Sequence, residues 1–236
     1  TNLVAGSVPA GYSRSNLIDN SPSRLGIKAT EDLGGGRTGI VVYELALDLT
    51  DGSAGGNTSI NAPLAARKMY VGLDAKGVGS LLLGRDGTPY ASSGTALDPL
   101  VGTTLEARNN YGMSGHRDGW GVLNAHNSFV DGVFFNSASW AGLYVNAYMG
   151  VGHSGTEYTC EAMTNCTNVG SAGFRNAGDL SAVVGWKGSA GGMALNVFGG
   201  YAKNAGGGQV DEPTAMKLGA QMTFAKAHTV SLQYEM

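Results

Sequence analysis

Residues 23–49 read SRLGIKATEDLGGGRTGIVVYELALDL, and this stretch is compatible with two kinds of β-sheet. A glycine turn separates two segments. In the second segment Glu44 and Asp48 share one face, and the other face is apolar (Val41, Tyr43, Leu45, Leu47 and Leu49). This period-two alternation predicts a strand with one apolar side. That side points inward in a soluble sheet and outward to lipid in a membrane barrel. The remaining residues of the chain are therefore needed to distinguish the two.

Composition narrows the possible classes of protein. The 236 residues suffice for one large all-β domain or two ordinary domains. The 39 glycines follow no collagen-like triplet, so we assign them to turns, bulges and close backbone contacts. With a net charge of −3 and no basic tract, the chain is not expected to bind nucleic acid. No apolar run reaches the ~18 residues of a membrane helix, but that test does not detect barrel strands.

The same alternation recurs in four segments toward the C-terminus, between residues 179 and 236. Each segment is about ten residues long, which fits the ~9–11 residues of a strand tilted across a bilayer. Strands of globular proteins average only about 5–6 residues. From the parity of these segments and of residues 41–49 we predict six outward-facing side chains: Leu45, Leu47, Val184, Leu195, Leu218 and Leu232.

The connections between the predicted strands alternate in length. Short turns are predicted at residues 34–37, 76–79, 136–140, 188–192 and 225–228. Long polar loops are predicted at about 6–22, 51–66, 86–121, 152–174 and 203–212. Short turns at one end and long loops at the other are typical of outer-membrane barrels. A soluble sandwich has no reason to keep its long loops on alternate connections.

The polar face of these segments carries Glu44, Asp48, Lys217, Gln221 and Glu235. In a dry core such charges would each need a partner, whereas facing a water-filled lumen they cost little. The sequence therefore predicts an all-β fold, a transmembrane antiparallel up-and-down β-barrel. The alternative of another class is a secreted or periplasmic β-sandwich that binds a carbohydrate or another protein.

Three ordered segments resemble the general, non-specific porins of Gram-negative bacterial outer membranes. SRLGIKATEDLGGG (23–36) resembles the second strand and first periplasmic turn, and RKMYVGLDAKGVGSLLLGR (67–85) resembles strands four and five. The loop that follows, at 86–121, resembles the third loop, which folds inward and narrows the barrel. The resemblance implies a 16-stranded barrel in the outer membrane that assembles as a homotrimer among lipids including lipopolysaccharide. The early strands, at about residues 23–85, would then lie near the subunit interface, where we expect that Lys68 and Asp74 can be tolerated on the outer face. It also implies passive diffusion of ions and small hydrophilic solutes, without a cofactor.

The number of predicted strands departs from this family. Counting from a partial strand at Thr1–Ala5, we find about eleven strands, and an antiparallel barrel of odd number does not close by the usual rule. The C-terminal aromatic residue of such porins is also missing. We therefore expect residues 1–236 to be an internal portion of a single, longer porin domain. The first fifteen residues do not resemble a signal peptide.

The resemblance also implies a constriction with a transverse electric field. Its basic wall would contain Arg24, Lys28, Arg67 and Arg85. Arginine suits the role because its charge is permanent and its planar fork can hold an anion with two hydrogen bonds. Strict alternation places Arg85 on the lipid side with Leu81 and Leu83, so only a bulge or the end of the strand would bring it into the lumen.

For the acidic side of the constriction we expect Asp98 and Glu106 in the long loop, with Asp86 and Glu44 as further candidates. Charges in a narrow aqueous pore select ions by sign and orient dipolar solutes. Each carboxylate is as readily an ordinary solvated side chain, because Asp and Glu are mostly exposed in any protein.

Cys160 and Cys166, in CEAMTNC, are predicted to form a small disulfide loop, which requires an oxidising compartment. The alternative is two free thiols. Their spacing is too wide for a CxxC pair, and the four histidines show no ligand spacing, so we expect no metal. The sequence contains no nucleophile elbow, HExxH motif or phosphate-binding glycine loop, so we do not expect an enzyme.

Overall fold

The computed structural model describes residues 23–47, 64–100, 130–151, 158–160, 166–168, 179–203, 214–225 and 228–236. These residues form twelve strands and one short helix. In chain order they are β1 (Ser23–Gly34), β2 (Arg37–Leu47), β3 (Leu64–Ala75), β4 (Gly79–Asp86), α1 (Pro89–Thr95), β5 (Val130–Ser137), β6 (Leu143–Gly150), β7 (Tyr158–Cys160), β8 (Cys166–Asn168), β9 (Leu180–Ala190), β10 (Met193–Lys203), β11 (Thr214–Phe224) and β12 (His228–Glu235).

Ten of the strands form a single antiparallel sheet in the order β1-β2-β3-β4-β5-β6-β9-β10-β11-β12. Each strand pairs with its neighbour along the chain, apart from the insertion of β7 and β8 between β6 and β9. This sheet confirms the predicted up-and-down topology. In the described part of the chain, β1 and β12 form its two edges. The partial strand expected at Thr1–Ala5 lies outside the described residues.

The alternation of short and long connections is confirmed. Two-residue turns join β1 to β2 and β9 to β10, where positive φ angles at Gly35, Gly36, Gly191 and Gly192 need glycine. The predicted turn at 188–192 is therefore too long, since β9 continues to Ala190. The turn predicted at 136–140 lies at 138–142 instead, because β5 continues to Ser137.

A separate two-stranded sheet, β7–β8, lies within the long connection between β6 and β9, where we expected only loop. Its backbone register pairs Cys160 with Cys166. The two cysteines are therefore opposite each other in a hairpin. The disulfide between them stays a prediction.

The two faces of the ten-stranded sheet differ in chemistry. We define the outer face as the one that carries large exposed apolar side chains, including Leu25, Ile27, Val41, Val71, Leu83, Val184, Val197, Leu218 and Leu232. Their cross-strand partners share this face, as in the row Val184–Gly199–Leu218–Tyr234.

Among the six predicted outward residues, Val184, Leu218 and Leu232 are 50%, 59% and 72% exposed, which confirms their orientation. Leu45 and Leu195 are half-buried on the same face. The side chain of Leu47 lies outside the described part of the structure.

The opposite side, which we define as the inner face, is covered in part by α1 and the residues that follow it. Two apolar clusters lie there under the helix, one around Tyr90 and one around Leu97. A third cluster joins Leu82, Val130, Phe134 and Tyr148 on β4 to β6. The buried core of the described residues therefore lies on the inner face, between the sheet and its own loop.

Hydrogen bonds tie the short turns to their neighbours at one end of the sheet. The indole N–H of Trp140, in the β5–β6 turn, donates to the carbonyl of Gly77 in the β3–β4 turn at 2.8 Å. Trp186 of β9 donates to Ala141 in the β5–β6 turn at 3.1 Å. These bonds hold successive hairpins in register where the strands end. No helix among the described residues is long and apolar enough to cross a membrane.

Candidate functional site

Helix α1 follows β4 after two residues and packs against the inner face of β9, β10 and β11. Its start is well defined by sequence, because Thr88 is the N-cap and Pro89 is the first helical residue. The Thr88 hydroxyl accepts a hydrogen bond from Ala91 N–H at 3.2 Å. The beginning of the long loop thus crosses from β4 to strands that lie far along the sheet.

Tyr90 is the contact point of this helix and is 0% exposed. It lies on small residues of two neighbouring strands, Ala202 of β10 and Ala215 of β11. Gly200 provides further space, since a Cβ at that position would come within 3.4 Å of the Tyr90 ring. Small side chains on the inner face therefore form a recess for one large aromatic residue of the loop.

Side chains of the inner face bind both the N–H and the carbonyl of Tyr90. Its N–H donates to the Ser181 hydroxyl on β9 at 2.9 Å, and its carbonyl accepts from Lys217 Nζ on β11 at 2.9 Å. The carboxylate of Glu235 on β12 is 3.9 Å from Lys217 Nζ. Burial, and then the charge of Glu235, raise the pKa of the Tyr90 hydroxyl, so this phenol stays protonated.

Leu97 makes a second, apolar contact beyond the helix. It packs against Val183 of β9 and Phe198 of β10. Gly219 of β11 leaves room for this contact, because a Cβ there would be only 2.3 Å from the Phe198 ring and 2.9 Å from Leu97. The loop is therefore attached to the inner face at two levels, through Tyr90 and through Leu97.

The predicted basic residues occupy the other part of the sheet. Arg24 and Lys28 of β1 are exposed on the inner face. They lie two residues before and two residues after Gly26, which pairs with Glu44 on that face. The Arg67 guanidinium reaches Glu44 at 2.9 Å. Three of the four predicted basic residues thus lie on the inner face of β1–β3.

A β-bulge explains how Arg67 reaches Glu44. Glu44 pairs with Lys68 and the next residue, Leu45, pairs with Ala66, so Arg67 is the extra residue of β3. A bulge turns two successive side chains toward one face. Parity would otherwise place Arg67 beside Met69 on the outer face.

Lys68 is a basic residue of the inner face that we did not predict. We expected Lys68 and Asp74 on the outer face, and this expectation is wrong, because their register partners Glu44 and Thr38 lie on the inner face. Lys68 Nζ contacts the carboxylate of Asp86 on β4 at 2.7 Å. Glu44 and Asp86 therefore lie beside basic residues on the same wall.

Arg85 is placed apart from the other predicted basic residues. Its register partners are Met69 and Asp131, in the row that begins with Ile27 and Tyr43 on the outer face. Its guanidinium contacts the Asp131 carboxylate at 3.0 Å. The pair lies at the long loop, where β4 ends and β5 begins. No local pattern in the sequence indicates this partner, since Asp131 is 46 residues away.

Of the predicted acidic loop residues, Asp98 follows α1 and accepts a hydrogen bond from Leu100 N–H at 2.9 Å. Glu106 lies outside the described residues. Within the described ranges, no three His, Cys, Asp or Glu side chains are grouped as a metal site. The assignment of these residues to a constriction stays a prediction.

The fold and these contacts define a class of protein. A soluble sheet buries its apolar side against a second layer, whereas here the outer face is exposed along the sheet and most charged side chains lie on the opposite face. Antiparallel sheets of this kind, with short turns at one end and long loops at the other, are those of outer-membrane barrels.

The family model for Gram-negative porins matches residues 5–236. This chain belongs to the Gram-negative porin family, and its sheet is that of an outer-membrane β-barrel. A search among curated proteins found no match.

Solved porin structures have the same fold. The anion-selective porin from Comamonas acidovorans matches 93% of this chain with a TM-score of 0.59 and 18% identity. OmpF of Salmonella typhi, solved with daunomycin, matches 90% with a TM-score of 0.58 and 14% identity. The chain covers 59% and 57% of the lengths of these two proteins.

Proposed function

We propose that the protein forms a water-filled channel in the outer membrane, through which ions and small hydrophilic solutes diffuse passively. The observation that carries this proposal is the contrast between the two faces of one sheet. The outer face exposes leucine and valine side chains, and the inner face carries Arg24, Lys28 and the Arg67–Glu44 pair. Exposed apolar strands are stable in lipid, and charged side chains need water on the other side.

In this channel the loop at 86–121 would fold inward and form the narrowest section. The packing of α1 on the inner face supports this proposal for the first part of the loop. Arg24, Lys28 and Arg67, joined by Lys68, would form the basic side. Asp98 and Glu106 would supply negative charge from the loop.

No observation favours the alternative, a soluble β-sandwich. A sandwich covers its apolar face with a second sheet about 10 Å away. In the described ranges the only other sheet is β7–β8, which has three residues per strand. We therefore do not propose a soluble binding function. Family membership likewise points to a channel and not to an enzyme.

We further propose that the whole protein is a homotrimer, surrounded by outer-membrane lipid including lipopolysaccharide. The strands at residues 23–85 would lie near the subunit interface, and closed rotational symmetry would repeat that interface around one axis. Crosslinking of the whole protein in mild detergent should yield trimers. A product that contains monomers alone would contradict this assembly.

The channel function is tested by conductance. The purified whole protein, added to a planar lipid bilayer between salt solutions, should insert in discrete steps of constant conductance. Heat-denatured protein serves as the control. If folded protein inserts into lipid vesicles but carries no current in the bilayer, the proposed function is wrong.

A further inference from the structure

Lys217, in the middle of β11, is a charged residue with almost no access to water. It is 1% exposed, although it lies on the face that we expected to be solvated. An ammonium ion loses much solvation free energy on burial, so lysine is almost never fully buried unless it is paired. The contacts of Lys217 must therefore compensate its charge.

Those contacts are made mainly with the loop and not with the wall. Lys217 Nζ donates to the Tyr90 carbonyl at 2.9 Å and lies 3.9 Å from the centre of the Tyr90 ring. A hydrogen bond from an ion is roughly twice as strong as one between neutral groups, and the ring face adds a cation–π attraction. The Glu235 carboxylate, 3.9 Å away on β12, provides the countercharge.

Ser181 makes a second polar contact with the same residue of the loop, from the opposite side. Its hydroxyl on β9 accepts from Tyr90 N–H, while Lys217 on β11 binds the Tyr90 carbonyl. The two wall residues belong to strands separated by β10. Together they fix the position and orientation of one peptide segment of α1 relative to the sheet.

We infer that Lys217 is a positioning residue, which holds α1 on the channel wall and thereby keeps the loop in one place during conduction. This inference rests on the proposed channel function. Without the ammonium group the Tyr90 carbonyl would lose its wall partner, and α1 would move off the inner face part of the time. Each departure would change the free cross-section, and the membrane field would act on the charges of the loop.

The test compares Lys217→Met with Lys187→Met in the whole protein. Lys187 is the matched control, because it also lies on the inner face and above an aromatic ring, 5.0 Å from the centre of Tyr144. It differs by lying next to the short turns, three residues from the end of β9. Both variants lose one positive charge, so any difference between them reports the attachment of α1.

For Lys217→Met we expect the population with α1 displaced to rise about tenfold, which corresponds to about 1.4 kcal/mol. Single-channel recordings should show greater open-channel noise and closure at lower voltage than in the wild type. Lys187→Met should change ion preference only, and Lys217→Arg, which keeps a charged donor, should be closer to the wild type than Lys217→Met is.

A second readout does not depend on current. Ser92 is exposed on α1, so a spin label at Ser92→Cys, with both native cysteines replaced by serine, reports the mobility of the helix. The label should become more mobile in Lys217→Met and in Ser181→Ala, and remain unchanged in Lys187→Met. Ser181→Ala provides the test by itself if Lys217→Met does not fold.

Two outcomes separate failure of this inference from failure of the proposed function. If the wild type conducts, and Lys217→Met and Ser181→Ala match Lys187→Met in noise, closing voltage and label mobility, Lys217 does not position the loop. If the folded wild type carries no current, the channel function is wrong and so is the role of Lys217 in conduction.

Discussion

Arg67 illustrates how one extra residue in a strand redirects a charge. Alternation alone assigns it to the apolar side of β3, and the bulge between Ala66 and Lys68 brings it to Glu44 on the inner face. The pair is half-buried, so water screens it less than a fully exposed pair. Arg24 and Lys28 add two positive charges nearby without a carboxylate opposite them in the β1–β2 register.

We predict that Arg24→Ser combined with Arg67→Ser shifts the channel toward cation preference. The change removes two cations and leaves Glu44 without its guanidinium partner. Because a unit charge 4 Å away alters the energy of an ion by about 1 kcal/mol in water, the ratio of cation to anion permeability should rise several-fold. The reversal potential across a salt gradient measures this ratio.

The effect should be larger in dilute salt, since the Debye length grows as ionic strength falls. Arg37→Ser, at the exposed β1–β2 turn, is the matched control and should have little effect. An unchanged reversal potential in the double variant would remove Arg24 and Arg67 from the constriction.

Strands and turns could largely be predicted from the sequence, because period-two alternation and glycine turns are local signals. The chain gives no such signal for the bulge at Arg67, since a bulge depends on the register of two strands. The burial of Lys217 was also hidden, because it depends on Tyr90, 127 residues away. Alternation indicated the face of Lys217 correctly but could not reveal that a loop covers it.

Trp140 links two hairpins at the short-turn end, and this contact explains why the β5–β6 turn lies later in the chain than predicted. The residues at 138–142 place the indole N–H against the Gly77 carbonyl at 2.8 Å. Ala138 N–H also donates to Val78 in the same neighbouring turn. The turn is therefore fixed by contacts with another hairpin as well as by its own sequence.

We predict that Trp140→Phe lowers the free energy of unfolding by about 1 kcal/mol, the usual contribution of one hydrogen bond. The phenyl ring keeps most of the apolar contact and cannot donate to Gly77. Urea titration of the whole protein in lipid vesicles, followed by its heat-dependent mobility on a gel, measures the change. Tyr234→Phe, at an exposed outer-face aromatic, is the control. Equal midpoints for the two variants would mean that the Trp140 bond contributes nothing.

Across the whole molecule, the sheet separates lipid from water through the parity of its residues. The rows of paired side chains extend from β1 to β12 without exchanging faces, apart from the bulge at Arg67 and a register shift at Leu33 beside the β1–β2 turn. Parity was therefore enough to predict the orientation of the sheet. An inward position of the loop was expected only from the family resemblance, since no local pattern places α1 against β9–β11.

Leu232 and Ser231 test this separation directly, because they are adjacent in β12 and point to opposite faces. Leu232 is 72% exposed on the outer face, while Ser231 bonds to Gln221 on the inner face at 3.1 Å. A lysine on the lipid face of a barrel costs about 2–4 kcal/mol near the bilayer midplane, whereas a lysine in the lumen meets water.

We predict that Leu232→Lys strongly lowers the fraction of protein that folds into lipid vesicles, and that Ser231→Lys folds nearly as the wild type does. Urea titration in vesicles gives the difference in stability between the two variants at nearly the same depth. If Ser231→Lys proves the more destabilising of the two, the outer face is not the lipid face, and the orientation of the whole sheet is reversed.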